Sequence, residues 1–229
     1  MMRIISSVMI GNVLTAMVSA TAIHAAEGTL VYADFEKVEN NRVVSNQGGM
    51  IQLSAYAENQ SHQSTFKGVE GLNPPAPELV RIKQGDPNHA AKFDYGLMSP
   101  NMFAGVVLEI QGHPWADGKP VSDDMSEYKS LLMDVYATGI DALRIEAISY
   151  GFGTDMPFGY PQLTFKVQPG MHTYKASFKA FSQPDSAPIK VDAKKILKNL
   201  TAVKLVAFCD DCQTNKQGMV VVDNVVFEK

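Results

Sequence analysis

Two alternating runs of side chains, separated by one glycine-bearing turn, constrain this chain more than any other feature. Ser130-Leu-Leu-Met-Asp-Val-Tyr136 leads into Ala137-Thr-Gly-Ile-Asp141, and Ala142-Leu-Arg-Ile-Glu-Ala-Ile148 leads out. Successive side chains of a strand point to opposite faces. Leu131, Met133 and Val135 therefore share one face with Leu143, Ile145 and Ala147. Such runs around a short turn holding Gly139 predict an antiparallel hairpin over Asp124–Tyr150. Its core face is apolar. Its other face carries Tyr128, Asp134, Tyr136, Arg144, Glu146 and Tyr150 as neighbours.

The rest of the chain repeats this kind of element. Strands are predicted at Thr29–Glu36, Met50–Tyr56, Glu78–Lys83, His89–Tyr95, Phe103–Gln111, Pro161–Val167, Met171–Phe178, Ala202–Cys209 and Met219–Phe227. Residues 57–77, rich in Gln, Ser, Asn, Gly and Pro, read as a long loop. A short helix is expected over Asp192–Leu200, with Asp192 as its cap. Many short strands, regular turns and one helix predict an all-β protein, an antiparallel two-sheet β-sandwich of jelly-roll type.

The first residues belong to a different category. Met1-Met-Arg3 is a positive start, and Ile4–Ile23 is acid-free and mainly apolar or small, followed by His24-Ala-Ala-Glu27. This predicts a secretory signal peptide over residues 1–25, cleaved after Ala25 (Ala20-Thr21-Ala22 also fits the small-x-small rule), and a single exported domain over 26–229, periplasmic or secreted. Removing Arg3 leaves 19 basic against 24 acidic side chains, a net charge of −5. A mildly acidic chain without basic runs argues against nucleic acid or anionic membranes as partners.

Catalytic motifs are missing from the sequence. His62, His89, His113 and His172 show no zinc-binding spacing. There is no G-x-S-x-G, no Gly-rich phosphate loop and no close acidic triad. A small polysaccharide lyase or hydrolase would need distant acids to meet in a cleft. Cys209-Asp-Asp-Cys212 holds both cysteines. Without a second pair for zinc or a strand–helix context for redox work, a structural disulfide between Cys209 and Cys212 is the expectation.

Several segments carry a resemblance. Val31-Tyr-Ala-Asp-Phe-Glu36, Phe103-Ala-Gly-Val-Val-Leu-Glu-Ile110, the run from Asp124 to Gly139, Leu197-Lys-Asn-Leu-Thr-Ala-Val-Lys-Leu-Val206 and Val221-Val-Asp-Asn-Val-Val-Phe227 occur in that order. The chain thereby resembles galactose-binding-like jelly rolls, both carbohydrate-binding modules and the complex I intermediate-associated family. The resemblance implies a sugar-binding concave sheet face and a structural calcium ion. It also implies that the chain ends pair, so that Asp34, Glu36 and Asp223 could converge as oxygen ligands for Ca²⁺. Equally, Asp34 and Glu36 can be solvated edge residues, with Asp223 or Asn224 starting a turn.

Sugars are held by aromatic planes against C–H faces and by planar polar groups on hydroxyls. Tyr128, Asp134, Tyr136, Arg144, Glu146 and Tyr150 supply both kinds. Trp115 and Tyr160 are expected at the rim of the same face. The resulting expectation is an exported, non-catalytic protein binding a polysaccharide or oligosaccharide. The alternative is a periplasmic assembly factor that uses the same face for a protein partner.

Overall fold

The computed structural model describes residues 27–57, 64–97, 102–109, 121–149, 159–209 and 215–229, with backbone alone at 56–57, 102 and 106–109. The predicted signal peptide lies outside the described residues. No helix among those described is long and apolar enough to cross a membrane.

The chain forms β1 (Thr29–Ala33), β2 (Val38–Glu39), β3 (Arg42–Val43), β4 (Ile51–Ala57), β5 (Thr65–Lys67), β6 (Glu78–Arg81), β7 (His89–Leu97) and β8 (Met102–Glu109). It continues through β9 (Ser130–Ala137), β10 (Ala142–Ile148), β11 (Gln162–Lys166), β12 (His172–Ser177), α1 (Ala193–Leu197), β13 (Ala202–Cys209) and β14 (Lys216–Glu228). A seven-stranded sheet runs β12-β9-β14-β7-β5, with β1 also on β14 and β6 on β7. A five-stranded sheet runs β11-β10-β13-β8-β4. Every strand pairing in the two sheets, among the described residues, is antiparallel. The two-sheet β-sandwich is as the sequence predicts.

The sheets face each other through one apolar layer. Leu131, Met133, Val135, Val220, Val222 and Phe93 enter it from the larger sheet; Leu143, Ile145, Val203, Leu205 and Ile51 enter from the smaller. Each contributes roughly 1.5–3 kcal/mol by leaving water. The alternation read in the sequence therefore identifies the core face correctly in both runs.

The hairpin reading is overturned. β9 and β10 do not pair: β9 lies between β12 and β14 in the larger sheet, whereas β10 lies between β11 and β13 in the smaller. Residues 138–141 cross from one sheet to the other. Thr138 donates its N–H to Met219 O (3.0 Å), and its carbonyl accepts from Tyr95 Oη (2.6 Å). The crossing is thus tied to β14 and β7 rather than closing a ladder. Alternation alone cannot separate the two cases, because both runs point the same residues inward either way.

Other differences are local. β1 stops at Ala33, short of the predicted Glu36, because Phe35 takes the left-handed backbone region (φ 58°). β2 and β3, which the sequence reading omits, form a ribbon turned by Asn40 and Asn41 at φ 50° and 61°. That is the two-residue turn asparagine tolerates best after glycine. Residues 57–77, predicted as loop, contain β5 on the edge of β7. α1 is shorter than predicted, but Asp192 caps it, accepting from Lys194 N–H (2.9 Å).

Candidate functional site

The sheet crossing splits the predicted ligand face in two. Asp134 and Tyr136 stand on the outer side of the seven-stranded sheet, since Leu131, Met133 and Val135 point inward. Arg144 and Glu146 stand on the outer side of the five-stranded sheet by the same alternation. The expectation that these groups are neighbours is therefore incorrect. Tyr128 belongs with neither face as a platform: it is packed edge-on to Phe227 (5.6 Å between centroids), with Lys229 Nζ 5.7 Å from its ring. Trp115 and Tyr150 lie outside the described residues.

The outer side of the five-stranded sheet can be built row by row from register. Gln162, Glu146 and Lys204 lie across β11, β10 and β13; Thr164, Arg144 and Val206 form the next row; beyond it Lys166 pairs with Ala142, and Phe208 pairs with Phe103 of β8. Arg144 Nε donates to Glu146 Oε1 at 2.8 Å, both side chains being about 15% exposed. The Arg144 guanidinium sits 4.9 Å from the Phe208 ring centre, and Lys204 Nζ sits 4.1 Å from that of Phe103. Tyr160, expected at the rim, does belong here. It packs on Ile148 and Ala202, and burial, then the Glu146 charge, pushes its phenol up to about 12.

Lys204 is the residue that sequence reading missed. It is 8% exposed, and desolvation holds its ammonium below the usual lysine range, opposed by Glu146 and reinforced by Arg144. Among the described residues it has no hydrogen bond or ion pair; its contact is the Phe103 ring. The signal was present: Lys204 is the only charge in Ala202–Cys209. A lone charge within an apolar strand demands a partner or a purpose. The arrangement presents planar hydrogen-bonding groups beside aromatic rings.

The opposite face carries a second polar cluster, around the bulges of the paired terminal strands. Asp223 is 1% exposed, and its register with β9 slips before Val226, with Asn224 at φ 48°. Asn88 Nδ2 donates to its Oδ2 (2.7 Å) and Asn224 N–H to its Oδ1 (2.7 Å). Burial nevertheless pushes the Asp223 carboxyl up to about 6, with the Asp134 and Glu36 charges adding to the rise. Asp134 accepts from Thr173 Oγ1 and, at 2.9 Å, from Asn224 Nδ2.

The predicted calcium ligands are only partly gathered here. Because β1 ends at Ala33, Asp34 and Glu36 do not share a strand face. Asp34 is taken by Asn46, which donates Nδ2 to its Oδ2 (2.9 Å), and by Glu36 N–H. Glu36 instead reaches the His89 backbone N–H and its Nδ1 (2.8 Å). No three His, Cys, Asp or Glu side chains among the described residues form a group that could hold a metal. Each carboxylate is faced by N–H donors, so the donor set as it stands does not fit a cation. Cys209 is buried at the end of β13; Cys212 lies outside the described residues.

A shallow cleft of about 590 Å³ opens at another place, lined by Phe66, Lys67, Asp94, Tyr95, Gln217 and Met219 among others. It lies at the β5–β7–β14 edge of the larger sheet. Tyr95 is committed there to Thr138 O, and burial holds its phenol well above the usual range.

No family model matches the chain, and no curated protein matches it. Solved structures do. The family 11 carbohydrate-binding module of the cellulosomal cellulase Lic26A-Cel5E of Clostridium thermocellum matches with a TM-score of 0.53 at 14% identity, covering 89% of this chain and 96% of that one. The Clostridium thermocellum family 11 module in complex with a beta-1,3-1,4-mixed-linked tetrasaccharide matches with a TM-score of 0.53 at 15% identity, covering 89% and 97%. At such identities the likeness establishes a shared fold.

Proposed function

We propose that this protein binds glycan, without catalysis, on the outer face of its five-stranded sheet. The observation that carries the reading is the set of Arg144, Glu146 and Lys204 held against the rings of Phe208 and Phe103, with Tyr160 beside them. Planar donors and acceptors on a rigid sheet, next to half-buried aromatic rings, match the chemistry of saccharide recognition. The sandwich shared with modules that bind carbohydrate supports the same reading. Export, through the predicted leader at residues 1–25, would place such a protein among polysaccharides.

Two variants separate this face from the opposite one. Arg144→Ala is expected to weaken binding to the recognised polysaccharide at least tenfold, as loss of a charge-assisted hydrogen bond of about 1.5–3 kcal/mol implies. Tyr136→Ala, on the other sheet, is expected to leave affinity unchanged. Affinity gels with both folded variants read this directly; equal loss from both would sink the assignment.

Calcium near the terminal strands belongs to the same proposal. It would require the present donors to rearrange, with Glu36 leaving His89 and Asn88 turning its carbonyl toward Asp223, whose carboxyl already feels the Glu36 charge. Chelation is then expected to lower the melting temperature of the wild type. A melting curve that ignores both chelator and added calcium would remove the ion from the proposal.

A further inference from the structure

The glycan-binding face is not electrically neutral. By register its charged positions are Arg144, Lys166 and Lys204 against the carboxylates of Glu146 and Glu109. Glu146 is engaged by Arg144 at 2.8 Å, so that pair is self-neutralising. Lys166 is exposed on edge strand β11. Lys204 lies over the Phe103 ring, with Glu146 as its register neighbour on β10 and no hydrogen bond or ion pair of its own among the described residues. An ammonium removed from water needs compensation beyond a ring face, and cation–π contact gives only part of it. The remainder of the chain is acidic, which makes this local excess of cations harder to read as general surface composition.

We infer that the ligand is an acidic saccharide, whose anionic substituent sits at Lys204 between Glu146 and Phe103. This rests on the glycan reading above and specifies its substrate class. The shared chemistry is an oxyanion on a sugar ring, either a uronate carboxylate or a sulfate ester. Lys204 supplies the charge and the Phe103 ring holds the ammonium in place. Arg144, already oriented by Glu146 and Phe208, is left to take hydroxyls. Lys166 extends the positive strip toward the sheet edge for the next residue of a polymer. The lowered pKa of Lys204 agrees: its charged form is under-compensated in the free protein, and an arriving anion would raise it.

The test uses the whole mature protein in affinity gels and in calorimetric titration. The probes are polygalacturonate for carboxylate, carrageenan for sulfate and lichenan as neutral glucan. Binding to one acidic polymer at least tenfold tighter than to lichenan is expected, falling steeply between low and high salt as ion pairs are screened. Lys204→Met, which preserves stem and volume, should abolish that preference while any weak lichenan binding stays. Should Lys204→Met fold poorly, Lys166→Gln, which is exposed, should still reduce the salt dependence of polygalacturonate or carrageenan binding. Tighter binding to lichenan than to either acidic polymer, or salt-independent binding, overturns the acidic assignment and leaves the glycan reading standing. Failure of the folded protein to bind any of the three overturns both.

Discussion

Asp223 shows how a single residue can oppose the strand that holds it. Apart from Asn224 its near neighbours along β14 are valines, and it is 1% exposed, yet two N–H donors keep its carboxylate partly compensated. The balance still favours the protonated acid, raised from 3.8 to about 6. Folded protein thus holds more proton than unfolded chain between those values. The stability this group contributes is complete below about pH 4 and is lost as pH rises through 6. The loss is on the order of 3 kcal/mol. Asp223→Asn removes the titration and keeps an acceptor for Asn88, so in chelator it is expected to melt higher than wild type above pH 6 and no higher at pH 4. A bound calcium ion would invert that order at neutral pH, because the wild-type carboxylate would then be the ligand. Melting curves at two pH values, with and without calcium, distinguish the two regimes.

At the scale of elements, the crossing between β9 and β10 decides where every outer side chain ends up. Gly139 sits at φ 78°, and a Cβ built there would fall 1.9 Å from Gln217 O. Both the backbone angle and the close approach to β14 require glycine. Gly139→Ala is therefore expected to cost more than about 1–3 kcal/mol, the usual strain of a disfavoured backbone angle, because displacing β14 adds to it. Chemical denaturation measures it, and an unchanged midpoint would show that the crossing does not need this contact. The same element marks what the sequence could reveal. Period-two alternation identified the inward residues of β9 and β10, since burial imposes that pattern directly. It could not tell which strands pair, because hairpin and crossing differ in partners four residues away and more. Asp192 was legible as a cap because capping is local. The Asn40–Asn41 turn was equally local, and β5 was hidden by the polar company of an edge strand.

At the scale of the whole molecule, the sandwich sets two unlike faces back to back. The larger sheet turns Asp134, Tyr136 and the Asp223 cluster outward, and the smaller turns out Arg144, Glu146, Lys204 and two phenylalanines. Sequence proximity had merged them into one site. Of that predicted set, Arg144, Glu146 and Tyr160 remain together, and Asp134 and Tyr136 are carried to the far side. Lys204 and the rings beside it joined from strands far along the chain, through registers that no local pattern encodes. Their one legible trace was a charge among apolar neighbours. The layer between the sheets should be as sensitive as its burial implies: Leu205→Ala, at a fully buried position, is expected to cost about 2–5 kcal/mol in denaturation. Any glycan binding should persist in the folded variant, since Leu205 points into the core, away from the outer face that carries Arg144 and Lys204.

The most direct measurement is affinity electrophoresis of the mature wild type beside Arg144→Ala and Tyr136→Ala, against gels containing neutral and acidic polysaccharides. Retardation of wild type and Tyr136→Ala by one polymer class, with Arg144→Ala running free, is the expected result. Free migration of folded wild type in every gel would contradict glycan binding on this face and turn the search to a protein partner.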